Sequence, residues 1–117
     1  MEVNWTPFYE LSDASVRKNV PRTPGVYTFW ELKGGYWKCF YVGQALNLAD
    51  RLLQHLSSQE TNKHLKERLS KPNQRFRYTE VSKLGERNGI LKYLYVTYSP
   101  DCNTEEIRGV AFPVNLP

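Results

Sequence analysis

Two segments rich in β-branched and aromatic residues, GVYTFWEL (25–32) and YWKCFYVG (36–43), are separated only by Lys33-Gly34-Gly35. No other feature of the chain restricts its fold as tightly. A Gly-Gly pair reaches positive φ without steric cost, so the two segments are predicted to fold back on each other as an antiparallel hairpin. The next stretch, NLADRLLQHLSS (47–58), carries Leu48, Leu52 and Leu56 at four-residue spacing. That spacing predicts an amphipathic helix with its apolar stripe against the sheet. A second helix, over 60–70, would carry Leu65 and Leu69 and end before Pro72. A short helix near Asp13–Lys18, capped by Ser12 or Asp13, would stop before Pro21 and Pro24.

Two further segments read as strands: RFRYTEVS (75–82) and ILKYLYVTYS (90–99), joined by a polar turn containing Gly85, Asn88 and Gly89. Pro100 breaks the second. DCNTEEIRGVAF is expected to start a short helix, with Asp101, Asn103 or Thr104 as cap and Glu105 and Glu106 in its first turn. Gly109 weakens that helix and Pro113 ends it. The sum is an α+β protein, a small and mostly antiparallel sheet flanked by helices. Its 117 residues suit one domain, with 1–20 as an N-terminal extension.

Composition narrows the setting. No apolar run approaches the roughly 18 residues that suggest a membrane span, and MEVNWTPFYELSD lacks the basic and apolar regions of a signal peptide. Cytoplasmic residence is the expectation. Cys39 and Cys102 are far apart, with no CxxC and no Cys/His cluster, which argues against structural zinc. Cys39, in an apolar strand, is expected to be a reduced, buried thiol. The formal charge of +4 permits an anionic partner without demanding one. Locally, KHLKERLSKPNQRFR (63–77) sets Lys63, Lys66, Arg68, Lys71, Arg75 and Arg77 against Glu67 alone. That run is either a solvated face or a track for a phosphate backbone.

A candidate site follows from the hairpin and the helix after it. Tyr27 and Tyr41 lie on adjoining strands, so both hydroxyls can emerge at one edge of the sheet. Arg51 and His55 are four residues apart and share a helix face. Two phenols, a guanidinium and an imidazole converging there would suit phosphodiester hydrolysis, which needs a base for water and a cation for the charge on phosphate. Taken singly, each has an ordinary reading. The tyrosines could be cross-strand core aromatics, Gly43 a strand terminus, Arg51 a surface residue and His55 a partly buried helix histidine.

Taken together, Gly25-Val26-Tyr27, Tyr41-Val42-Gly43, helical Arg51 and His55 one turn later resemble the GIY-YIG nuclease family. YVGQALNLADR and the entry PRTPGVY are similar to the branch of bacterial nucleotide-excision-repair incision domains. The resemblance implies a metal-dependent DNA endonuclease that nicks one strand, in repair, restriction or mobile-element processing. It also leaves open a catalytically weak DNA-binding module of the same fold; a small protein-interaction domain is the further alternative. By resemblance, Tyr27 would act as general base or orient the water, and Tyr41 would orient water or bond to phosphate. Arg51 would contact a non-bridging oxygen, and His55 would relay a proton or bind phosphate. Gly25 and Gly43 would be structural.

The family holds one divalent ion, Mg²⁺ or Mn²⁺, through a Glu on a later helix, followed by Pro-x-(x)-Asn. Glu106, with Glu105 as alternative, and Asn115 of Pro113-Val114-Asn115 are the positions implied here, although the spacing between Glu106 and Asn115 is about two residues short. The two glutamates could instead be no more than helix-dipole partners. Gln44 occupies a position often held by Lys, which removes a phosphate-facing cation. Relatives usually couple this domain to a separate DNA-reading module. Nothing in this sequence resembles one, so targeting is expected to come from a further domain or a protein partner.

Overall fold

A computed structural model describes residues 1–117. The hairpin forms where the sequence puts it, from β2 (Gly25–Lys33) and β3 (Tyr36–Ala45), and turns through Gly34 and Gly35 at φ +58 and +83. These are left-handed values that glycine adopts without strain. With β1 (Tyr9–Glu10) and β4 (Gln74–Glu80) the hairpin builds one sheet in the order β1-β4-β2-β3, with every neighbouring pair antiparallel. The helices are α1 (Asp13–Asn19), α2 (Leu48–His55), α3 (Lys63–Leu69) and α4 (Leu84–Tyr98).

Strand β2 lies between β4 and β3 and buries both of its faces. Tyr27 and Phe29 point into one cluster with Val16 of α1, Leu48 and Leu52 of α2, Leu65 of α3 and Phe76 of β4. Val26 and Trp30 point into the other, under Ile90 and Leu94 of α4. A β-bulge breaks the alternation on β3. Phe29 pairs with Tyr41 but Trp30 pairs with Cys39, leaving Phe40 as the extra residue. Phe40 and Tyr41 can therefore both turn to the α2 face, and the bulge re-aims Tyr41 toward Tyr27.

The C-terminal half departs from the sequence reading. Residues 90–99 are not a strand, and Gly85, Asn88 and Gly89 are not a turn; residues 90–98 and all three of those lie within α4. Ile90 and Leu94, four apart, are fully buried, which is helical spacing. Gly89 is required by close approach, because a Cβ there would run into the Phe112 side chain. The helix stops at Ser99, in the left-handed region at φ 46, before Pro100. The helix expected from DCNTEEIRGVAF does not form. The backbone N–H of Cys102 donates to the Phe40 carbonyl (3.0 Å), and the segment lies along the open edge of β3. Asn103 bonds to β3 rather than capping a helix. The helices read over 47–58 and 60–70 are shorter, and Asn47 and Asn62 set their starts by capping with side-chain oxygens.

Cys39 and Cys102 are both buried and unpaired by disulfide, and burial pushes the Cys39 thiol up to about 12. No helix is long and apolar enough to cross a membrane.

Candidate active site

Burial of Leu48, Ala49 and Leu52 sets the rotation of α2, leaving Arg51 half-buried at its flank and His55 fully buried at its last position. Opposite, Tyr27 pairs with Gly43 across the hairpin. The phenol ring lies directly over that glycine, and a Cβ at Gly43 would overlap its Cζ and Oη atoms. Gly25 is needed for a similar reason, since a Cβ there would strike the Thr79 carbonyl and Leu48. Each glycine of the two tripeptides thus makes room for a specific neighbour, and neither takes a positive φ.

The polar groups on this face form a continuous chain. Tyr27 Oη lies 2.6 Å from His55 Nε2, and His55 Nδ1 lies 2.9 Å from Glu60 Oε1, with His55 1% and Glu60 8% exposed. The rings of Tyr27, Phe29 and Tyr41 meet the imidazole edge-on, with centroids 5.6, 5.4 and 5.2 Å away. Burial, reinforced by the Arg51 charge, lowers the His55 pKa to about 4 against the opposing pull of Glu60, so the imidazole is neutral at pH 7. Its contact with Glu60 is then a hydrogen bond to a carboxylate, not an ion pair. Burial also drives Tyr27 well above the ordinary phenol value, and raises Tyr41; Arg51 pulls both back down.

These groups open onto a cleft of about 410 Å³ at the β3 edge, lined among others by Tyr27, Tyr41, Arg51, Glu60, Asn103 and Glu105. A wider neighbouring cleft of about 650 Å³ shares only Gln44 and Arg51 with it and follows the outer side of α2. The smaller cleft is the one that both phenols reach.

The remaining candidates scatter. Glu105 lines the cleft, whereas Glu106 lies outside it, and both sit on irregular chain rather than on a helix. Asn115 does not line the cleft. Its side chain bonds both ways to the Val3 backbone (2.8 and 2.9 Å) and ties the two terminal segments together. The same double bond is made at the site by Asn103, whose Oδ1 accepts from Val42 N–H (3.0 Å) and whose Nδ2 donates to Val42 O (2.9 Å). Asn103 closes Pro100-Asp101-Cys102-Asn103, a Pro-x-x-Asn directly after α4, and it lines the cleft as Asn115 does not.

Gln44 lines the cleft while accepting from Arg87 Nε (3.0 Å) and donating to Asn88 (3.2 Å), both on α4. Of the basic run, Arg68 is held by Glu31 (2.9 Å) and Asp101 (2.7 Å). Arg75 lies over Trp37 and Arg77 over Phe8, with Arg77 Nε donating to Thr6 O. Lys63, Lys66 and Lys71 are exposed, and none of the three lines the cleft. Three residues escaped the sequence reading: Glu60, Asn103 and Leu91, the residue that α4 contributes to the cleft. The Pro-x-x-Asn could have revealed Asn103, and counting back from it along a helix would have reached Leu91. Nothing in the sequence marks Glu60.

A sheet of this order with its cleft beside the β2–β3 hairpin is the GIY-YIG domain fold. More particularly, the chain is similar to the GIY-YIG N-terminal endonuclease domain of UvrC from Thermotoga maritima. The form of that domain bound to its catalytic divalent cation, magnesium, is 27% identical, with a TM-score of 0.60 over 76% of this chain and 96% of that one. A variant with asparagine replaced by alanine is 26% identical, with a TM-score of 0.61 over 77% and 96%. A tyrosine-to-phenylalanine variant is 25% identical, with a TM-score of 0.60 over the same shares. No family model matches the sequence, and neither does any curated protein.

The donors here differ from the pattern of a carboxylate on the later helix. No group of three or more His, Cys, Asp or Glu side chains is assembled. On the cleft, Glu60 is engaged with His55, and α4 offers Leu91. Glu105 remains, exposed and beside Tyr41, whose pKa it helps raise. One carboxylate completed by waters and a substrate phosphate is a set that Mg²⁺ accepts, so the residues fit a single ion through Glu105.

Proposed function

We propose that this chain is a DNA endonuclease that hydrolyses one phosphodiester per event, nicking a single strand. The observation that carries the reading is the convergence of Tyr27, Tyr41 and Arg51 on one solvent-open cleft, with buried His55 bonded to Tyr27 behind it. Arg51 would hold a non-bridging phosphate oxygen and offset the charge that grows there, a task suited to its planar fork of donors. Tyr41 would orient the phosphate or the water, and Tyr27 would take the water's proton. A divalent ion held through Glu105 would neutralise charge on the leaving oxygen. The exposed Lys63, Lys66 and Lys71 would supply backbone contacts to DNA. A separate domain or partner would supply targeting.

Leu91 favours a second reading, a module that binds DNA and cuts weakly, because α4 sends Leu91 and no carboxylate into the cleft. A supercoiled-plasmid assay in Mg²⁺ or Mn²⁺, paired with DNA affinity measured across salt, separates the two. Nicking that stops on chelation and is slowed in Glu105→Gln supports the endonuclease. Salt-dependent binding without nicking leaves the binding module.

A further inference from the structure

We propose that Glu60 is a positioning residue. It fixes the tautomer of His55 and so lets Tyr27 act as a proton relay without becoming a phenolate. This rests on the hydrolytic reading above. An ionised carboxylate can only accept, so the 2.9 Å contact from His55 Nδ1 to Glu60 Oε1 requires the proton on Nδ1. A neutral imidazole with Nδ1–H has a bare Nε2, which must accept at 2.6 Å from the Tyr27 hydroxyl. The phenol proton is therefore directed inward, and the lone pairs of its oxygen face Arg51 and the cleft that Tyr27 lines.

That polarity resolves a difficulty. Burial holds Tyr27 well above its ordinary pKa, so a standing phenolate is a poor base candidate. A relay needs none. As the water oxygen bonds to phosphorus, its proton passes to Tyr27 Oη while the phenol proton passes to His55 Nε2. The phosphorus–oxygen bond to the leaving alkoxide breaks, and that oxygen takes a proton from solvent. The imidazolium formed is balanced by Glu60, and afterwards returns its proton through Tyr27 to water. Atoms and charge close on one phosphomonoester and one alcohol.

The groups facing the imidazole are few: Arg51 on its own helix, Tyr27 and Phe29 from β2, Tyr41 from β3, and Glu60 from the α2–α3 connection. Only Tyr27 and Glu60 bond to its nitrogens. The logic matches that of a carboxylate holding a catalytic histidine in its productive tautomer.

The test combines histidine ¹⁵N NMR with single-turnover nicking, on wild type and Glu60→Gln, with exposed His64 as internal reference. In wild type near pH 7, His55 is expected as the pure Nδ1–H tautomer. Glu60→Gln is expected to mix the tautomers and to slow nicking by about 10²-fold, at unchanged DNA affinity and circular dichroism. An Nε2–H tautomer in wild type overturns the proposal, and so does a Glu60→Gln chain that nicks at the wild-type rate. An Nδ1–H tautomer in a wild-type chain that binds DNA and never nicks instead overturns the hydrolytic reading, and with it the relay; Glu60 is then left only as the residue that orients His55.

Discussion

The two faces of the sheet are built from alternate residues of the same strand, yet they solve different problems. On the α2 face, Tyr27 brings a hydroxyl into a mostly apolar cluster, and His55 and Glu60 continue the polar chain from it. On the α4 face, Val26 and Trp30 meet Ile90 and Leu94, and the buried Thr28 hydroxyl is spent on the Trp30 indole N–H (2.7 Å). The buried cation of this face, Arg87, is satisfied at the rim by Gln44 and by the carbonyls of Val81 and Ser82. A polar chain sunk in a core costs stability unless every atom is bonded, and no buried side-chain N or O here lacks a partner. The difference teaches what each face carries. One face is a core that holds the fold, and the other is a core that also holds a hydrogen-bonded chain reaching the cleft.

The contrast can be strained first with acid. His55 is held neutral, with its pKa moved from 6.5 to about 4 by burial, then by Arg51. Between those values the unfolded chain binds a proton that the folded chain does not. This part of the stability is therefore complete above pH 6.5 and declines as pH falls toward 4. The shift corresponds to about 3 kcal/mol. Denaturant unfolding at pH 7 and pH 4.5 should show most of that loss, and His55→Phe should flatten it. An unchanged pH dependence in His55→Phe would place the acid sensitivity elsewhere.

The next contrast lies between two asparagines that make the same pair of backbone bonds. Asn103→Ala and Asn115→Ala should each cost about 1–3 kcal/mol in unfolding free energy. Only Asn103→Ala should also slow nicking, because Val42 sits between Tyr41 and Gly43. Equal kinetic effects would mean that Asn103 braces nothing specific. A smaller effect should follow from Leu91→Glu, which puts a carboxylate on the cleft side of α4. It should raise Mg²⁺-dependent nicking by about tenfold, near 1.4 kcal/mol of barrier. No gain would argue that α4 is not turned so as to serve a metal.

Legibility in the sequence followed the same division. The hairpin, α2 and the pairing of Tyr27, Tyr41, Arg51 and His55 were readable because their determinants are local: Gly-Gly, a leucine stripe and short spacings. Helix α4 was not. Its Tyr, Val and Thr residues favour strand and its glycines favour turn, and only packing against β2 and β3, with Phe112 seated on Gly89, makes it helical. Taking residues 90–99 for a strand and 101–112 for a helix hid the Pro-x-x-Asn that ends in Asn103. Glu60 was invisible because its role depends on the return of the chain after α2 to the His55 ring, a tertiary event.

The central claim is that Tyr27, Tyr41, Arg51 and His55 are one hydrolytic site. It is tested most directly by single-turnover nicking of supercoiled plasmid in Mg²⁺ by wild type, Tyr27→Phe and Arg51→Ala, each checked for folding by circular dichroism. Both variants are expected to lose about 10²–10³-fold in rate while keeping the fold. Cleavage by either folded variant at the wild-type rate would contradict the claim.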